Sequence, residues 1–102
     1  YLRRNTQYKK MILEIVTPEA TILRTQVDVV TLPGSDGKFQ LLNHHAPIVS
    51  LLIEGEVKFK GSNITIDEQF ENKFTNIKGE YSFPIKSGTI EMKENYVIVL
   101  AD

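Results

Sequence analysis

The sequence predicts an all-β protein, an antiparallel β-sandwich of about ten short strands. Apolar and polar residues alternate with a period of two along most of the chain, which is typical of strands that bury one face. Glycine, proline, asparagine and aspartate interrupt this alternation at short intervals, as tight turns between successive strands require. Many short strands separated by such turns favour a sandwich or a barrel.

Period-two segments follow one another along the whole chain. The predicted strands are residues 11–17, 20–23, 26–32, 38–42, 48–53, 56–60, 81–83, 89–93 and 96–100. In the middle, residues 64–67 and 73–77 are interpreted as two strands of an added hairpin. The densest helical candidate, residues 67–73, has Phe70 as its only large apolar residue and would bury almost nothing, so no helix is predicted.

Composition limits the classes of protein. The 102 residues are enough for one domain with a modest core. The chain has no cysteine, which excludes disulfides, thiolate metal sites and cysteine nucleophiles. Its apolar runs, such as residues 48–53, are far shorter than the roughly 20 residues of a membrane helix. No apolar region follows the basic start, so a signal peptide is not predicted.

The charge is distributed unevenly. Residues 1–10 contain four basic and no acidic side chains, whereas the rest carries 13 acidic side chains against eight basic ones. We interpret residues 1–10 as a basic extension or an added segment, and residues 11–102 as the β-sandwich domain. An RNA- or lipid-binding arm is the alternative for the extension. An acidic body disfavours nucleic acid as a main ligand, because phosphate contacts need clustered lysine and arginine.

No catalytic, cofactor or metal residue is predicted. His44 and His45 are adjacent, and neighbours on an extended backbone point to opposite faces, so they are poorly arranged to hold one metal. Residues 33–37 lack the Gly-Lys-Ser/Thr ending and the following helix of a phosphate loop, which favours a tight turn. Ser50 and Ser62 have no histidine and aspartate partners in their sequence context.

Two segments carry apolar residues on both faces of a predicted strand. They are residues 12–16 and 48–53. One face of a sandwich strand normally meets water, so an apolar outer face indicates that something covers it. We expect a partner-binding face there; the alternative is that loops and sandwich ends cover these positions.

Residues 12–19 and 29–47 resemble the epsilon subunit of bacterial F-type ATP synthases. The specific features are the Gly-Ser-Asp-Gly turn at residues 34–37, the apolar strand after it and the His-Ala-Pro corner at residues 45–47. Residues 87–92 and 95–102 continue the similarity. The resemblance therefore extends over residues 11–102, apart from the middle.

The resemblance implies a ten-stranded sandwich at the foot of the central stalk, with no catalytic residues and no cofactor. Such a subunit packs against the gamma subunit, rests on the c-ring and couples ion translocation to ATP synthesis. It lies peripherally on the cytoplasmic face of the bacterial inner membrane, without a nucleic-acid or small-molecule ligand. The implied ring-facing turns, expected to project from one end of the sandwich, consist of Gly34, Ser35, Asp36, Gly37, Lys38, Asn43, His44 and His45.

The sequence also departs from the family pattern. Lys38 stands where the family often has an acidic residue, and residues 41–44 read Leu-Leu-Asn-His where many relatives have an aromatic-Pro-Gly corner. Residues 61–86 are longer than the usual hairpin. In many relatives a helical hairpin comes after the position of Asp102, where the present sequence stops; if that end is natural, autoinhibition by such a hairpin is expected to be absent. The alternative functions are a small ligand- or carbohydrate-binding sandwich module and, less favoured, an enzyme.

Overall fold

The computed structural model describes residues 10–102, which form ten strands and one short 3-10 helix. The strands are β1 (Met11–Val16), β2 (Thr21–Val27), β3 (Val29–Gly34), β4 (Gly37–Leu42), β5 (Ile48–Leu52), β6 (Gly55–Lys60), β7 (Thr75–Ile77), β8 (Glu80–Ile85), β9 (Gly88–Lys93) and β10 (Tyr96–Ala101). The 3-10 helix spans Glu68–Lys73, between β6 and β7.

The strands form two five-stranded layers. The first has the order β2-β1-β10-β9-β5 and the second the order β4-β3-β6-β8-β7. The layers meet where Gly34 of β3 pairs with Leu52 of β5. The predicted sandwich of about ten strands is confirmed. One pair differs from the antiparallel expectation, since β1 runs parallel to β10.

The core lies between the two layers. Met11, Leu13 and Ile15 of β1 are fully buried, and the residues between them are half-buried on the outer face, as a period of two requires. Val97 and Val99 continue the same inner face on β10. The second layer contributes Val30, Leu32, Leu41, Val57, Phe59, Phe83 and Ile85.

The middle of the chain differs from the predicted hairpin. Residues 64–67 are not a strand, and β7 pairs with β8 instead. The segment lies across β2, because Thr25 Oγ1 accepts a hydrogen bond from Thr65 N at 2.8 Å and donates one to Asn63 O at 3.4 Å. The following residues form the 3-10 helix, which has no buried residue and which Asp67 caps by accepting from Gln69 N at 3.1 Å.

Strands β2 and β3 are divided at Asp28, not after Leu23 as the pattern predicted. Asp28 N donates to Lys60 O at 2.7 Å, and this bond turns the chain from the first layer into the second. Strand β3 also continues through Pro33 to Gly34, because Pro33 requires no donor there and its carbonyl accepts from Ile53 N at 2.9 Å.

The basic extension lies almost entirely outside the described residues. Only Lys10 belongs to the described part, where its ammonium is 4.0 Å from the Asp28 carboxylate. The predicted nature of residues 1–9 therefore stays a prediction. Within the described residues, no helix has the length and hydrophobicity needed to cross a membrane.

Candidate functional site

The first predicted contact turn is the tip of the β3–β4 hairpin. Ser35 and Asp36 form the two-residue loop, closed by the pairing of Gly34 with Gly37. Gly37 has φ of 118°, which favours glycine. Gly34 is buried against Phe39, whose ring would lie 2.8 Å from an added Cβ. Gly34 thus packs closely on Phe39 at the base of the turn, while residues 35–38 are exposed.

The second predicted contact turn follows β4. Asn43, His44 and His45 are all exposed, and His44 has the left-handed φ of 65°. Asn95, in the β9–β10 turn, accepts a hydrogen bond from His44 N at 2.7 Å and donates one from Nδ2 to Asn43 Oδ1 at 3.1 Å. The turn is therefore fastened to the first layer by a side chain more than fifty positions away.

The two turns do not lie at one end of the sandwich, so that expectation is wrong. Pairing of β3 with β4 runs from Val29 opposite Leu42 to Gly34 opposite Gly37. Residues 35–36 therefore follow one end of the hairpin and residues 43–45 follow the other. The six residues of β4 separate them, and a strand of that length spans roughly 17–20 Å.

The two imidazoles do not converge on a common ligand. His45 Nδ1 lies 2.7 Å from Ala46 O, so this ring interacts with the backbone of its own turn. In residues 10–102, no three histidine, aspartate or glutamate side chains are grouped closely enough to hold a metal ion. These turns can offer exposed polar groups and backbone to another protein surface.

Exposed apolar side chains are grouped on part of the outer side of the first layer, beside the exposed Glu91 of β9. Val49 and Leu51 of β5 are 75% and 69% exposed, and Leu100 of β10 is 50% exposed. One cross-strand row joins Leu51 to Thr89, Leu100 and then Val16. We call the surface formed by Val16, Val49, Leu51, Ile98 and Leu100 the apolar face.

The outer side of the second layer differs in chemistry. One cross-strand row consists of Gln40, Thr31, Lys58, Ser82 and Thr75, all of them polar, although the neighbouring row contains Leu42, which is 54% exposed. Thr31 accepts a hydrogen bond from Gln40 at 3.4 Å, and Thr75 lies within 3.0 Å of Ser82. Water satisfies such a surface, whereas an apolar sheet face of a single domain is usually covered.

A polar cluster borders the apolar face on β1, β2 and β10. Tyr96 Oη donates to Glu14 Oε1 at 2.6 Å and accepts from Arg24 Nε at 3.0 Å. The guanidinium carbon of Arg24 lies 5.8 Å from the centre of the Tyr96 ring. The hydrogen bond to Tyr96 raises the pKa of Arg24 further, so the guanidinium keeps its full charge. The cluster places an ordered cation at the rim of the face.

Other surface features are less suited to a specific ligand. An open cleft of about 450 Å³ lies beside Ile64, Ile66, Phe74 and Tyr81. A carbohydrate platform requires an exposed aromatic ring, and every phenylalanine and tyrosine in residues 10–102 is buried or half-buried. Phe59 in particular is stacked on Tyr81 with ring centres 5.5 Å apart.

Sequence reasoning found the turns and the apolar strands but missed the residues that connect them. Neither Asn95 nor Leu100 was expected to have a role at the site. The sequence signal at Asn95 is the residue type: asparagine is favoured in two-residue hairpin turns with positive φ. In the structure, Glu94 and Asn95 form such a turn, and both have positive φ. Its partner at residues 43–44 is visible only in the folded chain.

Comparison with known proteins agrees with this architecture. Residues 10–102 match the family described as ATP synthase, Delta/Epsilon chain, beta-sandwich domain. The chain is 36% identical over 94 residues to the ATP synthase epsilon chain of Dehalococcoides mccartyi, covering 91% of this chain and 56% of that protein. It is 33% identical over 90 residues to the epsilon chain of Chlorobium limicola, covering 88% of this chain and 86% of that protein.

A solved structure has the same fold. It belongs to the central stalk and c-ring of the mitochondrial ATP synthase of Tetrahymena thermophila, with a TM-score of 0.66 and 16% identity. The similarity covers 91% of this chain and 63% of the other. The chain spans 56% of the length of the Dehalococcoides relative.

Proposed function

The chain belongs to the β-sandwich family of ATP synthase delta and epsilon chains, and on that premise we propose that it is a non-catalytic subunit of the central stalk. In this role it docks the gamma subunit onto the c-ring and couples ion translocation to ATP synthesis on other subunits. It lies peripherally on the cytoplasmic face of the bacterial inner membrane through the assembled complex. No cofactor takes part in this role.

The apolar face is the observation that carries the proposal. Val49, Leu51 and Leu100 are each at least half exposed and lie on the same outer side of the first layer. Fully burying an exposed aliphatic side chain contributes about 1.5–3 kcal/mol. A face of this kind therefore favours a stable contact with another protein, and we assign the gamma subunit to it.

The proposed c-ring contact uses the turns at residues 34–38 and 43–45. Because the turns lie at opposite ends of β4, a ring surface that touches both must run along this strand. Within residues 10–102, strand β4 pairs only with β3, so these residues leave its other edge uncovered. Lys38 and Gln40 are exposed on the strand between the turns and would join the contact.

Direct binding tests the proposal. The full 102-residue chain is expected to capture the purified gamma subunit of the same organism and to remain bound through gel filtration. Before the binding experiment, a circular dichroism spectrum typical of β-sheet shows that the chain is folded. A folded chain that leaves gamma in the unbound fraction would refute the stalk assignment.

Reversing the charge of Lys38 is expected to weaken ring binding. The Lys38→Glu variant, bound to gamma, should bind the purified c-ring about threefold less tightly at low ionic strength, with the difference reduced at high salt. Lys73→Glu, in the 3-10 helix away from β4, serves as the control. Equal binding of all three proteins at low salt would show that Lys38 does not face the ring.

A further inference from the structure

Asn95 joins three parts of the chain at one end of the sandwich. Its side chain bonds both Asn43 and His44, and its backbone carbonyl accepts from Ile12 N at 2.9 Å. The residue is 6% exposed and has φ of 64°. The β9–β10 turn, the start of β1 and the turn after β4 are thereby held together.

We infer that Asn95 is a positioning residue: it fixes the turn at residues 43–45 relative to the apolar face, so that the two proposed contact surfaces of the subunit move as one body. The ring-contact part of this inference rests on the proposed function. The structural part, the clamp itself, does not.

The geometry explains why the turn needs a clamp. His44 adopts a left-handed conformation that a residue with a side chain takes only where its surroundings compensate. Its N–H donates to Asn95 Oδ1 at 2.7 Å, the shorter of the two bonds from this side chain to the turn. Within the turn itself, His45 N donates to Leu42 O at 3.2 Å. The side chains of residues 43–45 are exposed, and the hydrogen bonds to Asn95 connect this turn to the first layer.

The connection to the apolar face is short. Tyr96, the next residue, begins β10 and pairs with Lys93 of β9 and with Ile12 of β1. Further along β10, Ile98 and Leu100 lie on the apolar face. Hydrogen-bonded strands therefore connect the gamma-facing surface directly to the clamp. On this basis we treat the two surfaces as one body.

Hydrogen exchange on the full chain tests the clamp. Asn95→Gly suits the positive φ but removes the amide, so exchange of the His44 and His45 amides is expected to rise about tenfold. Asn95→Asp keeps an acceptor for His44 N and should remain within about threefold of the original chain. Glu94→Gly changes the neighbouring turn residue, which also has positive φ, and should leave both amides unchanged. Unchanged exchange in Asn95→Gly would overturn the clamp.

The functional part needs the complex. With Asn95→Gly, gamma capture should be unchanged, while the affinity of the chain–gamma complex for the c-ring falls at least threefold. The Asn95→Asp variant should bind the ring as the original chain does. If Asn95→Gly raises exchange but ring binding stays at the original level, the positioning role is refuted. If the original chain does not capture gamma, the stalk proposal fails, and hydrogen exchange alone still decides the clamp.

Discussion

Replacing Leu51 with aspartate is expected to abolish stable capture of the gamma subunit. The side chain is 69% exposed in the free chain and forms the β5 end of the row that runs through Thr89 and Leu100 to Val16. A carboxylate placed there would be buried in the complex without a partner, which costs far more than the lost apolar contact. Loss of a side chain that anchors an interface reaches about 2 kcal/mol or more, which is roughly thirtyfold in Kd.

The control for this experiment is Ile77→Asp. Ile77 is 71% exposed on β7, at the far edge of the second layer, so it matches Leu51 in exposure and in the kind of strand position. Both variants should fold, because neither side chain contributes to the core. Binding is measured by titration of gamma against each purified chain. Equal loss of affinity in both variants, or none in Leu51→Asp, would remove the apolar face as the docking surface.

Phe59→Ala is expected to produce the largest loss of stability. The Phe59 ring is 1% exposed, stacks on Tyr81 at 5.5 Å and meets the edge of Phe74 at 5.9 Å. Phe74 in turn contacts Phe83 with ring centres 5.2 Å apart, so the cluster holds the segment between β6 and β7 against β6 and β8. Removing a buried phenylalanine costs about 3–5 kcal/mol, a large part of the 5–15 kcal/mol typical of a domain.

Urea unfolding followed by circular dichroism measures this effect. Phe70→Ala is the matched control, because Phe70 lies in the 3-10 helix, where no residue is buried. Phe70 is only half-buried against the core, so its loss should be smaller, about 1–2 kcal/mol. If the Phe59→Ala chain unfolds at nearly the same urea concentration as the Phe70→Ala chain, the aromatic cluster does not anchor the segment between β6 and β7.

The predicted strands succeeded where alternation was regular. Residues 11–16 alternate between buried and half-buried, and the observed β1 begins at Met11 as predicted. Prediction failed where polar contacts from distant residues decided the conformation. Residues 64–67 have β-branched side chains suited to a strand, yet Thr25 holds Thr65 across β2 and no strand forms.

The candidate site was only partly predictable for the same reason. Each turn was recognised from its own residues, but their relation depends on the register of β3 and β4, which a single sequence does not give. The apolar outer positions were likewise visible on β5, while their continuation to Leu100 depends on which strands become neighbours. The parallel pairing of β1 with β10 brings the first and the last strand together in that surface.

The sequence by itself determined the strands, the turns and the family, because these depend on local alternation, on residues that suit tight turns and on motifs along the chain. Only the tertiary structure decided that the two contact turns lie at opposite ends of β4, that the exposed apolar residues form one face, and that Asn95 fastens the turn at residues 43–45. The reason is physical: these arrangements arise from hydrogen bonds and packing between residues far apart in sequence, and strand order and register exist only once the sheet has formed.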